Sequence, residues 1–282
     1  VRLAALGSVA IAAVAVGILA GGGRAPRPRH PSAPTAAVGH TGLAARLERA
    51  QAVIDDPASP GSQLAAAGRL EQVATLELAR RGARARGAVL AALTGTARST
   101  MRANLGAADA LARLVTAHRR PPRWRIVAPP PPATLLGYFR AAQARTGVPW
   151  EYLAAIEFVE TRFGRVVGTS DAGAQGPMQF MPATWSRYGR GSIRDPRAAI
   201  AAAARYLAAT GAPRDMAGAL YHYNPSRDYV RAVEDYAGAM RSDHRAFYGY
   251  YQWQVVFALR RGPVILPPGY PRVGPVPLRL AY

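Results

Sequence analysis

From residue 149 to residue 164 the apolar positions recur at helical spacing. Pro149 suits the first turn of a helix and Gly164 the residue after its last. At 3.6 residues per turn, Tyr152, Leu153, Ile156, Val159 and Phe163 share one face. Glu160 projects into that face, between Ile156 and Leu153. Glu157 falls at its margin, and Glu151 and Arg162 lie well away from it. A carboxyl inside an apolar stripe is desolvated, which favours its acid form and raises its pKa. A glutamate becomes a general acid near neutral pH in this way. The same position also suits a buried glutamate paired with one of the chain's many arginines. The helix alone leaves both readings open.

The rest of the chain divides by pattern into a mainly α protein. Residues 3–23 carry no charge and follow Arg2, as in a signal peptide or membrane anchor. Residues 24–40 form a basic, proline-rich linker. Residues 41–120 read as a small helical hairpin or three-helix module. Leu43, Leu47, Ala50 and Ile54 make one stripe, Leu70, Val73 and Leu76 a second, and a further helix runs over about 88–117, weakened by Gly95 and Gly106. This module has no chemical constellation and reads as a spacer or docking unit. Residues 121–132 hold six prolines and mark a stiff boundary.

Residues 133–261 are long enough for one core. Helices are expected over 133–145, around Glu160, over 182–188, from Asp195–Pro196 to Ala208, over 215–223, and after Ser226, which can cap the last of these. Pro225 ends the helix before it near Asn224. No segment alternates convincingly with period two. Residues 262–282 read as a proline-rich tail.

Composition narrows the chemistry. There is no cysteine, so no disulfide and no thiolate metal site. The five histidines are scattered without ligand spacing. The formal net charge is +20, all of it from arginine, and this attracts polyanions. A Gly-rich loop over 166–175 leads into Gly173–Ala174–Gln175–Gly176–Pro177–Met178–Gln179–Phe180–Met181–Pro182, where glycines let backbone approach a ligand and Gln179 offers a donor and an acceptor. Further on, Tyr223–Asn224 places a phenol and an amide at a helix end.

Val159–Glu160–Thr161, the Gly173–Pro182 run and Tyr223–Asn224 together resemble the lytic murein transglycosylases with the goose-type lysozyme-like (SLT) catalytic domain, over roughly residues 134–250. The resemblance implies a lysozyme-like α-helical catalytic domain; it does not extend to residues 1–132, where the pattern alone gives the signal or anchor segment and the helical module, or to the tail. It implies Glu160 as the catalytic residue, followed by the family's Ser or Thr as Thr161. Ser170, Met178 and Gln179 would line the glycan groove, with Tyr223 beside the acid and Asn224 at the helix end. Pro177 and His222 depart from the usual pattern without removing a catalytic group.

The implied reaction cleaves the bond between N-acetylmuramic acid and N-acetylglucosamine without water, and Glu160 serves as acid and then base. A muramidase with Asp171 as second carboxylate, and a silent wall-binding module, are the competing readings. No metal or cofactor is implied, since no D-x-D-x-D-G loop occurs. The expected partners are peptidoglycan glycan strands, together with anionic wall polymers or the membrane surface, and not nucleic acid. The expected location is extracytoplasmic.

Overall fold

A computed structural model describes residues 39–278, so the signal or anchor segment expected at 3–23 lies outside the described residues. Among the described residues no helix is long and apolar enough to cross a membrane. The architecture is mainly helical. It opens with α1 (His40–Asp55), α2 (Gly61–Ala79), α3 (Ala83–Ala92) and α4 (Gly95–Ala112). The long helix expected over 88–117 is divided: Leu93 and Thr94 are extended, Gly95 restarts the helix at φ 43°, and it stops at Ala112. Thr94 is held there by Glu48, whose Oε1 accepts from the Thr94 backbone N–H at 2.6 Å and from its hydroxyl at 2.9 Å.

α5 (Pro132–Thr146), α6 (Trp150–Thr161), α7 (Pro182–Tyr188), α8 (Pro196–Ala209), α9 (Met216–Tyr223), α10 (Arg227–Ser242) and α11 (Ala246–Tyr251) follow. Their ends obey local chemistry. Gly147 closes α5 in a left-handed conformation at φ 75°. Asp195, Asp215 and Ser226 cap α8, α9 and α10, each side chain accepting from a backbone N–H one turn on.

The first four helices are not a free-standing spacer. α4 packs along α10, α10 along α6, and α2 against α11, and one apolar cluster runs from Leu43 to Val256 through both halves. A Cβ at Gly68 of α2 would fall 2.6 Å from the Gly249 carbonyl oxygen of α11, so only glycine permits that approach. Buried polar groups join the same helices. Glu71 accepts from Asn104 Nδ2 at 3.0 Å and Trp253 Nε1 at 3.2 Å, and Tyr250 donates to Asn104 Oδ1 at 2.7 Å.

α6 is therefore covered on all sides, and every residue from Trp150 to Thr161 is buried. The one-sided stripe inferred from spacing is corrected. Glu157 and Glu151, placed at or beyond its margin, lie inside, and so does Arg162. A helix this apolar around its whole circumference belongs in a core.

The proline-rich segment 121–132 is a stitched strap and not a bare spacer. Its β1 (Arg125–Ile126) pairs antiparallel with β2 (Val166–Val167). Ile126 also exchanges backbone hydrogen bonds with Gly269 and Tyr270, at 2.9 and 3.1 Å. Of the six residues between the two proline groups, Ile126 and Val127 donate their backbone N–H to the carbonyls of Tyr270 and Arg165. The expected tail contains strands as well. β3 (Val255–Leu259), β4 (Gly262–Leu266) and β5 (Val276–Pro277) form an antiparallel sheet. A small second core, including Ile126, Val166, Phe257 and Tyr270, fastens strap to sheet.

Candidate active site

α6 ends in an unusual turn. Arg162, Phe163 and Gly164 all take positive φ, at 53°, 60° and 78°. Two of them are not glycine, so the turn stores strain that packing must offset. Arg162 folds back on its helix, donating to the Phe158 carbonyl at 2.7 Å and lying over the Phe158 ring at 4.2 Å. Thr161 fixes the turn to the following loop: its hydroxyl donates to the Pro177 carbonyl at 2.6 Å and accepts from the Gly164 N–H at 3.0 Å.

Glu157 and Glu160, one turn apart, are each 0 % exposed. None of their four carboxylate oxygens makes a hydrogen bond of ordinary geometry, and no ion pair among the described residues involves either. Among the described residues, the pairing with arginine that the sequence left open is not formed. Burial pushes both carboxyls up to about 8, and the nearby Tyr229 hydroxyl partly opposes this for Glu160. Both groups therefore hold a proton at neutral pH.

Around Glu160 the chain gathers Tyr223, Tyr229 and the turn over 175–180. Tyr223, at the end of α9, donates its hydroxyl to the Met178 carbonyl. Both tyrosines stay neutral: burial, then the Glu160 charge, raises their pKa well above the usual value. The turn is closed by reciprocal backbone bonds of 2.9 Å between Gln175 and Phe180. Gln179 sits in it at φ 48°, and its Nε2 donates to the Gly176 carbonyl at 2.9 Å. Its Oε1 is buried without a partner, as is Asn224 Nδ2. Buried polar atoms left unpaired are costly, and they suit a ligand rich in hydroxyls and amides.

Of the residues named from the sequence, Glu160, Met178 and Tyr223 come together, with Gln179 and Asn224 next to them in the chain. The hydroxyl of Thr161 is committed to backbone. Ser170 is nearly buried and accepts from the Ala174 N–H at 3.0 Å, so it ties its loop. Tyr229 was missed, having been read only as one of the regularly spaced residues of α10. Its position three residues past Ser226, in the first turn of the helix that follows the Tyr-Asn pair, was the available signal. Among the described residues no cluster of three or more His, Cys, Asp or Glu stands ready for a metal.

Beside this site opens a cleft of about 600 Å³, between the strap, β2, the 175–177 wall and Arg194. Glu160 does not line it. Glu157 lies directly behind its wall: a Cβ at Gly164, which does line it, would fall 3.8 Å from Glu157 Oε1.

The raised carboxyls set a pH dependence of stability. Glu157 and Glu160 sit near 8 and Glu71 near 7, against 4.5 for an unperturbed glutamate. The folded chain keeps protons that the unfolded chain releases. Stability from these groups is thus complete below 4.5 and falls as pH climbs towards 8, by up to about 1.4 kcal/mol per pH unit for each. Tm should decline across that window, and Glu157→Gln should flatten the decline. A Tm rising through the same window would contradict the assignment.

Residues 137–245 match the transglycosylase SLT domain family. No curated protein and no solved structure matches the chain. The match covers the helices and turns that assemble the Glu160 site, from within α5 to the residues after α10. Over this segment the chain is similar to the transglycosylase SLT domain family, and the match supports a lytic transglycosylase-type domain that acts on the peptidoglycan of the cell wall, outside the cytoplasm.

Proposed function

We propose that this protein cleaves the β-1,4 bond between N-acetylmuramic acid and N-acetylglucosamine without water, releasing 1,6-anhydro-muropeptides, with Glu160 as general acid and then base. One observation carries the reading: Glu160 is a buried carboxyl in no ion pair among the described residues, its pKa pushed to about 8, flanked by Tyr223 and Tyr229. Such a group arrives protonated and can donate to the glycosidic oxygen. The substrate's own acetamido group can stabilise the oxocarbenium-like centre, so a second enzyme carboxylate is not required. The Glu160 carboxylate left behind then takes the proton of the sugar's 6-hydroxyl as that oxygen closes on the anomeric carbon.

Tyr229 stabilises the carboxylate during that interval, since a hydrogen bond to the charged form favours it. The open Gln179 Oε1 and Asn224 Nδ2 offer an acceptor and a donor to the sugar amide. Thr161 and Ser170 serve by fixing the backbone that carries these groups. Glu160 has no exposed surface, so the side chains above it must move for a glycan to reach it.

A muramidase would need an ionised carboxylate to activate water. Asp171 stands exposed in its loop, and Glu157 keeps its proton at neutral pH. Mass analysis of digested sacculi tests the choice. The products should be lighter by one water than lysozyme products and lack a reducing end. Reducing-end products would convert the enzyme to a hydrolase.

A further inference from the structure

The cleft next to the Glu160 site has a chemistry that glycan cleavage does not use. Arg123 and Arg125 stand exposed on the strap along one side, and Arg194, also exposed, precedes α8 on the other. No ion pair among the described residues engages any of the three. Between them the walls are apolar, with Val127, Val166 and Pro177. Arginine forks match carboxylates in a bidentate manner. A volume of about 600 Å³ suits a few residues of peptide with small side chains, and a long phosphodiester polymer would call for a continuous basic stripe instead.

The cleft and the Glu160 site share a wall. Residues 175–177 line the cleft, the Pro177 carbonyl takes the Thr161 hydroxyl next to Glu160, and the Met178 carbonyl takes the Tyr223 hydroxyl. Gly176 fixes that wall, because a Cβ there would fall 1.9 Å from the Ile193 carbonyl oxygen. A molecule in the cleft thus lies across this wall from the Glu160 site. We propose that this cleft binds the carboxylate-bearing peptide stem of the strand being cut, so that the enzyme reads peptide-substituted glycan in preference to bare glycan. This rests on the reading of Glu160 as the site of glycan cleavage.

The test uses the full chain, the double variant Arg125→Ala/Arg194→Ala, and Arg102→Ala on α4 as a control for loss of charge alone. kcat/KM is measured on peptide-bearing glycan and on the same glycan stripped by an amidase. The wild-type ratio should favour the peptide-bearing strand by about tenfold or more, the scale of charge-assisted contacts. The double variant should collapse that ratio, chiefly through KM, while Arg102→Ala leaves it in place. Calorimetry with the free stem peptide reads the site without catalysis. Wild type should bind the peptide, and both the double variant and the peptide with esterified carboxylates should abolish binding. A ratio unchanged in the double variant, equal binding of the ester, or binding of a phosphodiester wall polymer instead of the peptide would overturn the proposal. Peptide binding with neither glycan cleaved would leave this site standing and remove the Glu160 reading.

Discussion

Glu160→Gln should bind peptidoglycan and release almost no muropeptides, with turnover lowered about a hundred- to ten-thousandfold. The amide keeps the shape of the side chain but neither donates nor accepts the proton. In the proposed mechanism one group serves both half-steps, so its loss stops both. Removing the ionisable group also lifts a desolvation penalty. The variant should therefore melt at least as high as wild type at pH values approaching 8, where the native carboxyl begins to ionise inside the core. Loss of activity together with retained or improved stability separates a catalytic role from a structural one. Glu157→Gln is the matched control: equally buried and equally shifted, it should keep most activity, because neither tyrosine hydroxyl hydrogen-bonds it and it lies behind the cleft wall. Full activity in Glu160→Gln would remove the mechanism.

The second large effect concerns folding. A fragment of residues 133–261 should show no cooperative melt, although it contains every motif of the active site. Removing α1–α4 uncovers the α10 surface on which α4 packs and the α11 surface on which α2 packs. It also leaves Tyr250 without Asn104, and Trp253 without Glu71. Each large apolar side chain returned to water costs roughly 1.5–3 kcal/mol, and an unpaired buried polar group adds about 1–3 kcal/mol. A few such losses exceed the 5–15 kcal/mol or so that typically holds a domain together. The chain 39–278 should instead unfold in one transition. A sharp, reversible transition in the fragment would show that the first four helices are an accessory.

What the sequence made legible was local. Pro182, Asp195, Asp215 and Ser226 mark helix starts by their own chemistry, and α7 to α10 begin where those residues place them. The Val159–Glu160–Thr161, Tyr223–Asn224 and Met178–Gln179 motifs were equally visible, because each is short and contiguous. Tertiary covering was not. Val255–Leu259 is buried at every position, so it shows an unbroken apolar run and not the alternation by which a half-exposed strand is recognised. The strap looked like a spacer because its prolines hide the backbone pairing of Arg125, Ile126 and Val127 between them. Glu157 seemed marginal because a helical wheel assumes one wet face, and α6 has none. Tyr229 and the arginine cleft depend on residues far apart in the chain meeting in space, for which no local pattern exists.

The account turns on Glu160 being a protonated acid at neutral pH. Infrared difference spectra of wild type minus Glu160→Gln, recorded across a pH titration, report that carboxyl alone. The predicted result is a protonated C=O band that persists at neutrality and disappears with a midpoint near 8. A Glu160 already ionised well below neutrality, titrating near 4.5 as an unperturbed glutamate does, would contradict it.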